Sequence, residues 1–494
     1  MTASPGSLSG NEDRAKTRRP LLSGWTSIAV LAVVYFSLAL PFTLLTRAYE
    51  ADDENAHIQY LEFVYRHDSI PLISASNGAE SHQPPLYYFI AAGWQHLLGV
   101  PAFSPDLVPA KNPFAQGKLV FSHQYTASEH RQAIYVHELR LLSVLLGLGT
   151  VLLTYAGARV IGLREPMAVS SGLFVALLPR EVVISGNVTN DALLFPLCAL
   201  ALLLFLLSER ARKSQRFRHR RLHLLGMGLV LGTAAITKFT SLPIAALLLL
   251  LTLVPAIQVQ RWSRPSRRHD VAGRSLRVRI DPRPLVDGVM VALAFVAVSG
   301  WWFIRNKHLY GQFLASNKSN SYLVGSHPVS MSLHLVFVTL PHALFETTWY
   351  AQPNLLLPVW MNQALAVLGL LCLVTGAYAI LVGRPRFFTP LTRLSGVVML
   401  GSILVGVAAV LIVITSGSSL YLAQLFGNGS MVGDARVAFV GLSAFAIVEV
   451  VGASRLVSYL NSRSELLILL IWPTVLFAVD IYVLCRFLIP LGGL

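Results

Sequence analysis

The chain is a succession of long apolar stretches separated by short polar gaps. Residues 28–45, 141–161, 193–207 and 397–414 carry almost no charge. A charge exposed at the bilayer centre costs several kcal/mol, and about 20 helical residues cover the roughly 30 Å of hydrocarbon. These stretches therefore predict transmembrane helices. Residues 167–184, 286–301, 355–382, 437–450 and 466–488 read the same way. The stretch 222–257 is too long for one span and is interrupted by Thr237-Lys238, so it predicts two spans with Lys238 at an outer hinge. The expected fold is an all-α polytopic membrane protein with about ten or eleven transmembrane helices.

The polar gaps set the topology. Basic residues gather in 14–19, 210–221, 261–283 and 384–393, and an excess of Lys and Arg marks cytoplasmic loops. Residues 1–23 then form a cytoplasmic tail, and 24–494 form one transmembrane domain. The longest gap, 46–137, falls on the outer side, as do 302–353, 416–434 and the C-terminus. Pro84-Pro85 followed by the amphipathic segment 86–98 predicts a helix on the membrane surface within the first outer loop. The basic N-terminus followed by an apolar run has the outline of a signal peptide. That run is about 20 residues long and no small-x-small cleavage site follows, so a retained first helix is expected. The protein is expected in the plasma membrane, with its N-terminus inside and its chemistry outside.

Composition sharpens this picture. The chain is 54% hydrophobic and 13% charged, against roughly 25% charged in globular domains, which excludes a soluble class. The formal charge of +15 lies in gaps between apolar runs. That placement fits solvated loops and membrane-lipid anchors and argues against a nucleic-acid partner. Cys198, Cys372 and Cys485 all fall in apolar runs. They are expected to be small buried hydrophobes, with no disulfide and no cysteine-based metal site.

The outer gaps hold the acids, the histidines and an Arg-Asn pair. Asp52-Asp53-Glu54-Asn55-Ala56-His57 follows the first span. A hydrated helix end has such a sequence, and so does a carboxylate that takes a proton from a hydroxyl or holds a cation. Glu54 and His57 share a helix face at i, i+3; with His82 they are the candidate metal ligands, too few to define a site. In the segment 80–88, His82 and Gln83 project from the double-proline turn, and Tyr87 and Tyr88 suit an interfacial belt. Residues 185–191 make a polar turn in which Asn190 precedes Asp191, a second outer carboxylate. Lys238 either snorkels or meets a lipid phosphate. In 301–306, tryptophans at the interface put Arg305 at headgroup depth, with Asn306 beside it. Arg436 is a candidate of the same kind.

Taken in order, Asp53-Glu54-x-x-His57, His82-Gln83-Pro84-Pro85-Leu86-Tyr87-Tyr88, Asn190-Asp191, Thr237-Lys238 and Trp302-Phe303-x-Arg305-Asn306 resemble the GT-C superfamily of membrane glycosyltransferases. They are most similar to its protein mannosyltransferase-like and aminoarabinose transferase-like branch, from about residue 53 to 436. The resemblance implies an inverting transfer of a hexosyl or pentosyl group from a polyprenyl-phosphate donor to a hydroxyl of a lipid, glycan or protein acceptor. It implies Asp53 and Asp191 as the catalytic acids and Lys238 and Arg305 as contacts to the donor phosphate; Glu54 joins the catalytic candidates, with the choice of base among Asp52, Asp53 and Glu54 open, and Gln83 joins the phosphate candidates by its place before the double proline. His57, His82, Tyr87, Tyr88, Asn190, Asn306 and Arg436 would bind substrate or shape the site. Gln83 stands where relatives of the aminoarabinose branch carry Lys. Ala435-Arg436-Val437 stands where relatives often have Gly-Arg-Tyr. A divalent cation is admitted by this reading but not required.

Two other classes compete. A transporter or flippase of lipid-linked sugars would place charges near the bilayer midplane and show internal repeats. Lys238 is the only candidate for such a charge, and no repeat is visible. A non-catalytic scaffold of glycan assembly is the second alternative. An outer metalloprotease would need a His-Glu-x-x-His set, which is absent from the sequence.

Overall fold

The structure, a computed structural model, describes residues 24–49, 53–74, 77–104, 127–254, 257–263, 274–315, 334, 337–338, 340–349, 357–382, 392–415, 435–460 and 465–489. The expectations for the N-terminal tail, Asp52, the basic gap 384–393, the outer loop 416–434 and most of 316–356 lie outside these residues.

The helices follow the apolar pattern. The first span is α1 (Gly24–Leu45), and two short helices, α2 (Glu54–His67) and α3 (Leu86–Leu98), follow it in the long gap before the next span. The bundle continues with α4 (Ala127–Val160), α5 (Glu165–Ala176), α6 (Pro179–Ser185), α7 (Asp191–Lys213), α8 (Phe217–Ala235) and α9 (Leu242–Leu253). It closes with α10 (Pro282–Tyr310), α11 (Leu340–Trp349), α12 (Val359–Leu381), α13 (Thr392–Thr415), α14 (Leu442–Leu460) and α15 (Glu465–Val483). Among the described residues, seven helices are long and apolar enough to cross a membrane; α5 with α6, bent by 63°, is either a broken eighth span or a re-entrant loop. The segments 239–253 and 396–410 are apolar but shorter. Together with α8, whose start carries Arg218, Arg220 and Arg221, they account for the remaining segments in which the sequence predicts spans.

Local signals explain the boundaries. Gly99 ends α3 in the left-handed region at φ 67°, where glycine has no Cβ penalty. Pro179 opens α6 at its first turn, where a missing N–H is harmless. The helices α8 and α10 pack in parallel on small residues. A Cβ on Gly228 would lie 2.6 Å from the Val291 carbonyl, and one on Gly232 would lie 2.8 Å from that of Phe295. Close backbone approach on glycines four apart is the usual basis of helix pairing in lipid.

Four expectations are corrected. The gap 259–284 contains a two-stranded antiparallel ribbon, β1 (Ile257–Ser263) with β2 (Arg274–Ile280), in the register Ile257↔Ile280 to Ser263↔Arg274. α10 runs to Tyr310 and α4 starts at Ala127, so both reach beyond the apolar runs that predicted them. Backbone hydrogen bonding carries a helix past the hydrocarbon edge, which hydropathy alone does not register. Cys485 is exposed, whereas Cys198 and Cys372 are buried; a residue in an apolar run can face lipid as readily as protein. Finally, Lys238 is not alone as a candidate intramembrane charge. Arg180, Glu181, Glu449 and Asp480 are all buried within the helices α6, α14 and α15.

Candidate active site

Asp53 begins α2 as its N-cap, with φ 58°. Aspartate tolerates this left-handed conformation, since its short polar side chain is among those that visit it. The side chain makes no cap hydrogen bond, which leaves the carboxylate free for other partners. It pairs with Arg436, a residue 383 positions away. The Asp53 side chain keeps 46% of its accessible area, so water reaches it. Crowding by protein opposes ionisation, but the Arg436 guanidinium outweighs it and holds the carboxyl at about 2.

Glu54, one residue on, points the other way and is fully buried. One oxygen accepts from Arg140 Nε at 2.7 Å and from Val188 N–H at 3.1 Å. The other accepts from Arg140 Nη2 at 2.6 Å and from Tyr49 N–H at 2.9 Å. Arg140 also donates to the carbonyls of Thr43, Thr46 and Arg47. This buried bidentate pair joins the end of α1, the start of α2, α4 and the turn before α7. Four donors on two oxygens leave Glu54 no lone pair directed at a substrate, which argues against the catalytic role expected for it.

His57 lies one turn into α2. Its Nδ1 is 2.8 Å from Tyr88 Oη, and its Nε2 is 3.3 Å from Thr189 Oγ1. Burial pushes the imidazole down; Glu80, Asp53 and Asp191 act against that shift and Lys238 adds to it. Tyr88 stacks on Tyr60 with ring centroids 3.7 Å apart, and burial raises both phenols well above their ordinary range. Tyr87 Oη accepts from Thr189 N–H at 3.1 Å and lies 3.2 Å from Ser143 Oγ.

The double-proline turn is clipped to the break after α8, where Leu86 N–H donates to the Ile236 carbonyl at 3.1 Å. That break carries Lys238, whose Nζ donates to Asp191 Oδ1 at 2.7 Å. Asn190 donates to the Thr237 carbonyl at 3.4 Å. Asp191, Lys238, His57 and Asp53, far apart in sequence, thus meet at one end of the bundle. Gln83 is buried, with its amide 3.3 Å from His82 Nε2. Among the described residues, the buried side-chain oxygens here with no hydrogen-bond partner include Glu80 Oε2, Gln83 Oε1, Asn190 Oδ1 and Asp191 Oδ2.

Arg305 stands slightly apart. Its guanidinium lies over the Trp302 ring at 5.2 Å and is close enough to act on Tyr60. Tyr310, at the end of α10, accepts from Ile73 N–H at 3.1 Å and ties that helix to the first outer loop. Asn306 is buried and donates to the Phe313 carbonyl at 3.4 Å.

No group of three or more His, Cys, Asp or Glu side chains suited to a metal occurs among the described residues. Glu54 is saturated by Arg140 and backbone N–H groups, and both ring nitrogens of His57 are engaged. Glu54 and His57 therefore present no free ligand atom to a metal.

Sequence reading missed Arg140 and Glu80. An arginine directly abutting the apolar run 141–161 was the available signal for the first, because a charge at the edge of a span must find a partner. Glu80 had no signal beyond its place near the double proline.

Residues 84–306 match the family model described as dolichyl-phosphate-mannose-protein mannosyltransferase. No curated protein sequence matches the chain. Among solved structures, the Archaeoglobus fulgidus oligosaccharyltransferase in complex with zinc and sulfate is similar at 13% identity and a TM-score of 0.49. That similarity covers 92% of this chain and 52% of that one, so the chain spans about half its length. ArnT from Cupriavidus metallidurans bound to undecaprenyl phosphate is similar at 14% identity and a TM-score of 0.37, over 88% of this chain and 79% of that one. The S. cerevisiae Pmt1-Pmt2 protein O-mannosyltransferase complex bound to its sugar donor is similar at 19% identity and 0.35, over 55% and 31%. The family match spans the double-proline turn, Asn190-Asp191, Lys238 and Arg305-Asn306, and so includes much of the cluster described above.

Proposed function

We propose that this protein is a glycosyltransferase that moves a sugar from a polyprenyl-phosphate donor to an acceptor hydroxyl at the outer membrane surface, with inversion. The observation that carries this reading is the convergence of Asp53, Asp191, Lys238 and Arg436 on one end of the bundle. The acceptor oxygen attacks the anomeric carbon from the face opposite the phosphate. Asp53 takes the hydroxyl proton, the bond from carbon to phosphate oxygen breaks, and polyprenyl phosphate leaves with the electron pair. Lys238 and Arg305 stabilise the charge that develops on that phosphate. The unpartnered oxygens of Glu80, Gln83, Asn190 and Asp191 suit sugar hydroxyls, which are donors. A buried acceptor without a donor is costly, so ligand hydroxyls there contribute specificity.

A carboxyl held at about 2 is a poor base. In this mechanism the donor phosphate competes for Arg436. Drawing the guanidinium away removes the cation that holds the carboxyl down, which raises its proton affinity when the acceptor is in place. Glu54 is a positioning residue: through Arg140 it fixes the start of α2 and so the place of Asp53.

The direct test is release of polyprenyl phosphate by purified protein from a panel of lipid-linked sugars. Lys238→Ala and Arg305→Ala should each raise the KM for donor by about tenfold or more while leaving the acceptor KM nearly unchanged, since a charge-assisted hydrogen bond is worth about 1.5–3 kcal/mol. An unchanged donor dependence in both variants would take these residues out of the site. The orientation has its own test. A cysteine introduced as Arg216→Cys should stay unlabelled by an impermeant thiol reagent in intact cells and react after permeabilisation; labelling in intact cells would reverse the topology.

One observation favours the transporter reading. Glu449 and Asp480 are buried in α14 and α15, and none of their carboxyl oxygens has a hydrogen-bond partner. Intramembrane acids of this kind line ion or proton paths in carriers. Transport of the lipid-linked sugar with no release of polyprenyl phosphate would decide for that reading.

A further inference from the structure

The parallel helices α8 and α10 carry Lys238 and Arg305 at or just beyond their C-terminal ends. Their N-terminal ends build a second feature. Phe217, Arg220, Arg221, Arg283 and Asp287 line a recess of about 200 Å³. Roughly 22 Å, at about 1.5 Å per residue, separates Arg220 from the far end of α8 at Ala235. The recess therefore lies toward the opposite bilayer surface from Asp53, and its role is independent of the reaction proposed above.

Arg220 is 5% exposed and Asp287 is 2% exposed. They form an ion pair through Arg220 Nη1. A guanidinium presents five donor hydrogens, yet Arg220 Nε and Nη2 are buried with no hydrogen-bond partner. Leaving charged donors unsatisfied in a desolvated place is expensive. Arg221 Nε lies 3.6 Å from the other Asp287 oxygen, with 60% of its side chain exposed. Arg283 stands over the Phe217 ring at 5.9 Å. Three arginines thus face one carboxylate, leaving two positive charges in excess. Both helices also point their N-termini this way, and the macrodipole there favours an anion. The basic gap 261–283 reads in the sequence as solvated loop, but here its last arginine joins a buried one on another helix.

We infer that this recess binds a phosphate-ester anion, whose oxygens would take the free Nε–H and Nη2–H of Arg220 in the fork geometry that guanidinium groups offer. An anionic lipid headgroup and a soluble phosphate share that chemistry. The recess lies at the end of two membrane-spanning helices, at the level where headgroups sit.

Thermal unfolding of the full-length protein in neutral detergent distinguishes the sources. The probes are dioleoylphosphatidylglycerol, dioleoylphosphatidylcholine and inorganic phosphate. Phosphatidylglycerol should raise Tm by about 2 °C or more, as expected for a ligand that binds only the folded state, and phosphatidylcholine should not. Inorganic phosphate giving the whole rise assigns a soluble ligand; a rise with phosphatidylglycerol alone assigns a lipid. The double variant Arg221→Gln, Arg283→Gln alters two exposed side chains, so it should keep its Tm in phosphatidylcholine and lose the rise. Arg220→Gln should lose it too, but may be replaced in the test by the double variant if it does not fold. Equal stabilisation by phosphatidylcholine, or a full response in the double variant, overturns the site.

Discussion

Asp53→Asn should lower turnover by about 10² to 10⁴-fold, the usual loss when a general base is removed, while donor affinity is kept or rises, because Arg436 loses the carboxylate with which the donor competes. Asparagine fits the left-handed backbone at φ 58° as well as aspartate does, so the fold should survive. The substitution removes both the proton acceptor and the partner of Arg436. A pH profile separates the two effects. In the resting protein Arg436 keeps Asp53 ionised down to about pH 2. A depressed carboxyl is charged above its own value and gains a proton only as pH falls through it. Between about pH 4 and 7, kcat/KM should therefore carry no acid limb from this group. Arg436→Gln removes the cation, leaves crowding to raise the carboxyl, and should bring an acid limb into that range. Near-normal turnover in Asp53→Asn, with Glu54→Gln or Asp52→Asn inactive though folded, would move the base to a neighbouring acid.

Arg140→Met should be the most damaging single change to stability, at about 3–5 kcal/mol, because it leaves the Glu54 carboxylate buried without its cation. It also strips donors from the carbonyls of Thr43, Thr46 and Arg47, so the end of α1 and the start of α2 lose their common tie. The expected result is a large fall in Tm and in the yield of folded protein. Glu54→Gln should be milder, since the amide keeps the size and Arg140 keeps its carbonyl acceptors. Tm and turnover measured together assign the role of Glu54. A positioning residue loses both in proportion. Loss of turnover at an unchanged Tm would return Glu54 to the catalytic set.

Hydrophobic patterning carries the bundle because the bilayer enforces it: a helix in hydrocarbon must be apolar along its length, whatever its neighbours. For that reason α1, α7 and α12 were legible, and so was α3, whose double proline and Gly99 mark both ends. The break between α8 and α9 at Lys238 was legible as well, since 36 apolar residues cannot make one span. The order of acids, prolines and cations marked one end of the molecule as the place for chemistry. Which acid stays open to water was not legible. Asp53 and Glu54 are adjacent and chemically alike, and a single left-handed φ sends one toward Arg436 and the other into Arg140. Ion pairs such as Asp53 with Arg436, Asp191 with Lys238 and Arg220 with Asp287 join residues from separate helices. Nothing in local sequence encodes such pairings, because they depend on which helix faces meet. The sequence alone determined that the chain is a series of long apolar helices, with acids and cations gathered in particular gaps between them. Only the tertiary packing, set here by close approaches such as Gly228 and Gly232 against α10, decided which of those charges are partners and which stay available to a substrate.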